Sequence, residues 1–273
     1  MPEGHTIHRL AAEHRALFQG ETVRTSSPQG RFAKGAARLD GAAFTTADAH
    51  GKHLFHEYRT VAGEPLWLHV HLGLYGTFRF GEPPAPPPVG QIRLRWETSR
   101  GYVDLRGPAA CELITLAEKD AFHARLGPDP LRPDADPDRG WERIRRSRAP
   151  IAQLLMDQSV IAGVGAVYRA EVLFRLGLDP MRPGRSIEAE TWRAIWDDLV
   201  ALMADGVRIG RIDTVRPEHT PEAMGRPPRV DRHGGEVYVY RRVGQPCLVC
   251  HTPVASTVLA GRNLYWCPRC QHG

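Results

Sequence analysis

Two cysteine pairs close to the C-terminus constrain this 273-residue chain more than any other feature. Cys247 and Cys250 form one C-x2-C knuckle, Cys267 and Cys270 form another, and sixteen residues separate them. Tight knuckles at that spacing bring four thiolates around one tetrahedral Zn²⁺ and leave no coordination position open. The predicted metal is therefore one structural ion, stapling a tail too short to build a core of its own. Two disulfides are the alternative, disfavoured in a chain expected to be cytoplasmic. His251 and His272 are possible substitute ligands that the spacing does not favour. Cys111 is left over in an apolar, strand-like run and reads as a buried, inert thiol.

The remainder divides by periodicity. Thr6 is placed to cap a helix whose apolar residues Ile7, Leu10, Ala11, Leu17 and Phe18 recur at helical spacing. From about residue 22 to 116 short alternating runs such as Leu66–Val70 and Gln91–Trp96, broken by Gly and Pro, predict antiparallel β-structure arranged as a sandwich. The stretch Glu82–Gly90, with five prolines, is a loop between strands. Helical periodicity follows around 118–126, 139–147, 150–157, 166–176 and 188–205. Residues 216–235 are rich in Pro, Gly and charge, and Val237–Tyr240 is expected to open a hairpin-like tail. The expected fold is α+β, with a β-sandwich domain over 1–118, a helical domain over 119–225 and a zinc-ribbon finger over 236–273.

The net charge of +5 and pI near 9.1 favour a polyanionic partner. Of the 36 basic residues only Lys34, Lys52 and Lys119 are lysine, so each is a candidate for chemistry that arginine, which does not release a proton near neutrality, cannot perform. No apolar run is long enough to cross a membrane and no signal peptide is visible, so a soluble, cytoplasmic protein is expected.

Pro2 and Glu3 stand at the other end of the chain. With Met1 removed, Pro2 presents a secondary amine titrating near about 7.7–8.0, against roughly 10.4 for lysine, so a useful fraction is neutral and nucleophilic at pH 7. Attack on an aldehyde carbon gives a cationic iminium, an electron sink that acidifies neighbouring C–H bonds. The plainer alternative is that Pro2 only favours removal of Met1.

Residues 151–174 read as helix, glycine turn, helix. Gly163 and Gly165 allow close backbone approach, and the N–H groups opening the second helix are suited to grip a phosphate; a packing turn between core helices is the alternative. Upstream, Arg139, Arg143, Arg145, Arg146 and Arg148 face only Glu142 within their stretch and read as charge for a nucleic-acid backbone.

Taken together, Met1–Gly4, Gly51–Leu54, His71–Gly76, the segment 150–174 and Gly261–Gln271 resemble the formamidopyrimidine-DNA glycosylase and endonuclease VIII family of base-excision repair enzymes. The resemblance spans nearly the whole chain and implies a function: glycosylase and abasic-site lyase acting on duplex DNA with oxidised bases or abasic sites, as a monomer, with Zn²⁺ but no organic cofactor. It implies that Pro2 attacks C1′ of a flipped-out nucleotide and that Glu3 is a general acid or proton shuttle, raised in pKa by burial. Lys52 would hold a flanking phosphate and assist β-elimination. Arg262 would clamp phosphates at the lesion and support any δ-elimination. Leu74 and Tyr75 would plug the gap left by the extruded base, although strand-end core residues are the alternative. Arg106 would face the undamaged strand and Arg125 touch backbone, with Gly163, Gly165 and Ala166 at the phosphate-binding turn.

The Pro-Glu-Gly start and the Leu74–Tyr75 pair favour the oxidised-pyrimidine branch over the 8-oxoguanine branch. Two departures from the family pattern are Thr6, where a second acid is usual, and Ala166, where asparagine is usual. The second costs a phosphate contact of about 1 kcal/mol. A catalytically silent damaged-DNA-binding member is the rival these departures suggest.

Overall fold

A computed structural model describes residues 2–231 and 235–272. Met1, whose removal the amine argument requires, lies outside the described residues. The chain divides into two compact units, one comprising Pro2 with Thr6–Arg125 and the other Glu3–His5 with Leu126 onward. The first unit thus extends past the boundary expected at 118, and the cysteine tail groups with the helices. Among the described residues no helix is long and apolar enough to cross a membrane.

Helix α1 (Gly4–Phe18) begins before Thr6, which therefore lies in its first turn and is not its cap. Then come β1 (Arg24–Ser26), α2 (Ala33–Leu39), β2 (Ala43–His50), β3 (His53–Arg59) and β4 (Pro65–His71). Strands β5 (Thr77–Gly81), β6 (Ile92–Glu97), β7 (Tyr102–Arg106) and β8 (Ala110–Ile114) follow, and α3 (Leu116–Arg125) ends the unit. The strands form two antiparallel four-stranded sheets, ordered β1-β6-β7-β5 and β2-β3-β4-β8. Leu54, Leu66, Leu68 and Val70 from one sheet and Leu94, Trp96, Val103 and Leu105 from the other share a single buried cluster with Ile7, Ala11 and Phe18 of α1. This is the expected sandwich. The α2 helix was not expected; its Ala36 and Leu39 are buried while Lys34 points to solvent.

The period of two along β4 puts Leu66, Leu68 and Val70 in that cluster and sends Trp67, His69 and His71 to the opposite face. Helix α3 covers that face: Phe122 lies 4.4 Å from His69, His123 lies 5.1 Å from Phe55 and the Lys119 ammonium sits 4.5 Å from the centre of Trp67.

In the second unit, α4 (Pro137–Ile144) opens with an Asp136 side chain accepting from the Asp138 N–H and proline in the first turn. Helix α5 (Ile151–Leu154) is a single turn, shorter than its periodicity predicts. After it come α6 (Ala166–Arg175), α7 (Ala189–Ile209) closed by Gly210 at φ 83°, and α8 (Pro221–Met224) in the stretch read as irregular. The tail contributes one hairpin, β9 (Ala255–Leu259) with β10 (Arg262–Trp266). Val237, Tyr238, Cys247, Leu264 and Cys267 share a core with Tyr168, Leu173 and Trp192, which is why the tail belongs to the helical unit.

Val237–Tyr240 is not a strand. The backbone N–H groups of Tyr238, Val239 and Tyr240 all bond one carboxylate, Glu171 of α6, at 2.7, 2.9 and 2.9 Å. Three successive donors pointing to one side are incompatible with the alternation of a ladder, so this apolar run marks burial.

Candidate active site and zinc centre

Gly4 and Glu3 are held by the turn before α6. The Gly4 N–H donates to the Gly163 carbonyl at 2.8 Å, and a β-carbon on Gly4 would lie 2.8 Å from Gly163 Cα. The Glu3 carboxylate is 1% exposed and accepts N–H bonds from Gly165 (2.9 Å), Val167 (2.9 Å) and Tyr168 (3.4 Å). A β-carbon on Gly165 would collide with that carboxyl group. The glycines are therefore explained by the approach of the N-terminal segment. Of the N–H groups at the turn expected to hold a phosphate, those of Gly165, Val167 and Tyr168 are taken by Glu3. The burial expected for Glu3 is present, but it comes with three donors at a helix N-terminus, which favour the ionised form.

Beside this seat, Tyr168 meets His5 edge-on at 5.4 Å between ring centres. Ala166 offers only a half-buried methyl group. Arg169 and Glu171 follow on a helix that is otherwise buried and apolar on every side from Val167 to Phe174. Besides the three bonds to residues 238–240, Glu171 accepts from the Thr214 hydroxyl at 2.6 Å. Neither residue was singled out from the sequence. Their signal was there: an Arg and a Glu on a helix with no polar face must each find a partner in the interior.

Arg262 is exposed at the start of β10, just after the left-handed turn residues Ala260 and Gly261. The Sγ atoms of Cys247, Cys250, Cys267 and Cys270 lie within 4.8 Å of one another, with 3.8 Å between Cys247 and Cys270 and 3.4 Å between Cys250 and Cys267. Four Zn–S bonds of about 2.3 Å at tetrahedral angles require sulfur separations of about 3.8 Å, so the four thiols fit one structural Zn²⁺. No disulfide joins them, and His251, exposed at φ 61°, is not part of the cluster. Gln271 fixes the second knuckle, accepting from Cys267 N–H at 2.9 Å and donating to the Leu178 carbonyl at 3.0 Å.

Of the upstream arginines, Arg145 and Arg146 both pair with Glu142, at 2.7 and 2.6 Å, and Arg143 donates to the Ser159 hydroxyl at 3.0 Å. Such exposed pairs are weak.

In the first unit, Pro2 is half-buried. Lys52 and Gly51, the latter at φ 59°, make the two-residue turn between β2 and β3, where His50 pairs with His53, and Lys52 is half-buried. Lys34 stands in solvent and Lys119 lies over Trp67. Leu74 and Tyr75 form the tip of the turn between β4 and β5 and are 63% and 84% exposed, which excludes the alternative of strand-end core residues. Arg106 is half-buried and lies 3.5 Å from Asp104, whose carboxylate is held at 2.6 and 2.9 Å by the buried Arg95. Arg125 is exposed at the end of α3, over the ring of Phe122 at 4.8 Å. Burial pushes the Cys111 thiol up to about 12, the inert state expected of it.

Histidines form the largest polar group that the sequence did not point to. His53 Nδ1 and His69 Nε2 are 2.8 Å apart, His69 Nδ1 is 2.9 Å from Glu112, and His50 and His123 meet at 2.8 Å. Inside the sandwich, His14 Nδ1 lies 2.8 Å from His56 Nε2, and His56 Nδ1 lies 3.0 Å from the Tyr58 hydroxyl, which accepts from Trp96 at 2.7 Å. Burial pushes His14 down to about 3 and His56 well below the usual imidazole range. Burial first, then the neighbouring His69, His71, His50 and Arg125, lowers His53 to about 3.

Three family models match successive parts of the chain: the formamidopyrimidine-DNA glycosylase N-terminal domain over residues 1–111, its H2TH domain over 126–217, and a zinc finger found in FPG and IleRS over 244–273. "Endonuclease 8 1" of Mycobacterium tuberculosis is 52% identical over 99% of this chain and 100% of its own length. A formamidopyrimidine-DNA glycosylase of Parasynechococcus marenigrum is 30% identical over 99% of both chains. Among solved structures, a Lactococcus lactis Fpg bound to DNA containing an abasic site superposes with a TM-score of 0.79 at 21% identity, covering 99% of this chain and 100% of that one. Sequence motifs, cysteine geometry and whole-length similarity agree, and the chain belongs to the formamidopyrimidine-DNA glycosylase and endonuclease VIII family of DNA-repair glycosylases with abasic-site lyase activity.

Proposed function

We propose that this protein removes oxidised pyrimidines from duplex DNA and cleaves the resulting abasic site through a Schiff base on Pro2. The observation that carries the reading is the seat of Glu3: a buried carboxylate bonded by three N–H groups fixes the residue after Pro2, so the amine is attached to a rigid support. Similarity to a protein named endonuclease 8 over its whole length supports the branch, as does the exposed Leu74–Tyr75 tip suited to replace an extruded base.

The proton balance follows from that seat. As the Pro2 nitrogen bonds to C1′ the bond from C1′ to the base breaks, and the base departs with its electron pair and takes up a proton. The nitrogen then loses its own proton in becoming an iminium, and Glu3, starting ionised, takes it and passes it to O4′ as the sugar ring opens. Glu3 thus acts as a shuttle instead of a standing acid, which three N–H donors would oppose. Lys52 steadies a flanking phosphate and assists removal of the C2′ proton, and Arg262 neutralises the phosphates leaving on elimination. The Zn²⁺ supplies no chemistry to these steps; it fixes the hairpin that carries Arg262.

Borohydride reduction of the protein on abasic-site DNA is expected to trap a covalent adduct that maps to the N-terminal peptide. Trapping that survives acetylation of the N-terminus, or a mass showing Met1 retained, overturns the Pro2 assignment. Excision of thymine glycol at ten times or more the rate of 8-oxoguanine opposite cytosine is expected; the reverse order assigns the chain to the 8-oxoguanine branch.

A further inference from the structure

Arg169 of α6 is 1% exposed, yet it is poorly provided with acceptors. One Nη donates to the Asn263 carbonyl at 2.6 Å, the other reaches the Ala152 carbonyl only at 3.5 Å, and Nε is buried with no hydrogen-bond partner. Its only short bond therefore goes to the residue immediately after Arg262. Burial and the positive charge of Arg262 depress its pKa to about 10, while Glu3 acts in the opposite sense. A guanidinium buried with so few acceptors costs stability, and a methionine of similar length would fill the same space without that cost. Packing of α6 against the zinc hairpin does not explain the charge.

We propose that Arg169 is a positioning residue for Arg262, fixing the β10 backbone so that the Arg262 guanidinium is presented at a set place relative to the Glu3 seat. The two interactions lie on one helix: Glu3 is bonded to the N–H groups of Gly165, Val167 and Tyr168, and Arg169 comes next in the chain. The β9 ladder sets Asn263 opposite Val258 and the four thiols gather at the far end of the hairpin, while the short bond from Arg169 to the Asn263 carbonyl ties the Arg262 end of the hairpin to α6. The inference rests on the proposed phosphate-clamping role of Arg262.

A double-mutant cycle on the full-length, zinc-loaded protein tests it, read as single-turnover cleavage of abasic-site duplex DNA. Arg169→Gln is expected to slow cleavage about tenfold in the wild-type background and less than twofold in Arg262→Ala, with one zinc per chain throughout. Should Arg169→Gln fail to fold, Arg169→Lys, which keeps the charge and one donor, is measured in the same two backgrounds; a loss of about threefold that disappears with Arg262→Ala supports the coupling. An equal loss in both backgrounds, or no loss in either, overturns the positioning role while leaving the reading of Arg262 intact. An Arg262→Ala protein as active as wild type overturns both, and the two failures are thereby told apart.

Discussion

The first unit buries a chain of histidines and the second buries Glu3 and Glu171, and the two groups follow different rules for keeping a titratable side chain inside. In the chain of His14, His56 and Tyr58, Trp96 donates to the Tyr58 hydroxyl, and one ring nitrogen of His56 faces Tyr58 while the other faces His14. Burial among Phe18, Phe44, Phe78 and Trp96 keeps both imidazoles neutral, each with one donor and one acceptor nitrogen. Glu3 and Glu171 instead accept several bonds each, mostly from backbone N–H groups. A histidine gives up its charge to be buried, whereas a carboxylate is buried where the chain has been folded to supply its hydrogen bonds. Both arrangements join segments far apart in sequence, His50 with His123 and Glu3 with Gly165 among them, but the second is the one found at the proposed catalytic residue.

The largest effect that separates the two regions is loss of zinc. Structural zinc contributes on the order of 10 kcal/mol to small metal-dependent modules. Chelation is therefore expected to abolish cleavage of abasic-site DNA and to raise amide exchange across residues 244–272, while exchange in the sandwich strands remains slow. Equal loss of protection in both units would break the comparison.

Next comes Glu171→Gln, which places an NH2 group among N–H donors. A cost of about 2–4 kcal/mol is expected from the buried network, measured as a lower urea midpoint for the transition reported by hydrogen exchange in α6. A change below about 0.5 kcal/mol would show that the donors around Glu171 are dispensable.

The histidines predict the sign of the acid response. Their folded-state pKa values lie below the unfolded value near 6.5, with His14 and His53 at about 3. The unfolded chain thus binds more protons between these limits. Stability is full above pH 6.5 and falls as the pH drops towards 3, by about 2 kcal/mol per histidine at pH 5. His14→Phe is expected to flatten the slope of stability against pH in this window, and an unchanged slope would remove His14 from the account. The smallest effect is that of Lys119→Gln, expected to cost about 0.5–1 kcal/mol by removing the ammonium from the face of Trp67, visible as a shift of a few degrees or less in Tm.

Features encoded within a few residues were legible in advance. The cysteine knuckles and the alternation of β4 and β6 depend on local spacing, and all lie where they were expected. The short α2 was overlooked inside a β-rich stretch, although Ala33, Ala36, Ala37 and Leu39 carried its helical signal. Val237–Tyr240 misled because a β-prone apolar run reports that its side chains are buried, not what the backbone bonds to. At the turn before α6, glycines and helix-opening N–H groups announce that an anion is near, and at Gly165 that anion is the chain's own Glu3.

The sequence by itself determined the two ends of the protein, an N-terminal Pro-Glu pair and four thiols at the spacing zinc requires, because each is written in contiguous residues. Tertiary structure decided how buried charge is satisfied. Glu3 meets Gly165 across 162 residues, Arg169 meets Asn263 across 94 and Glu171 meets Tyr240 across 69. No local pattern specifies such pairings, because a buried charge demands a partner without saying where along the chain it will come from.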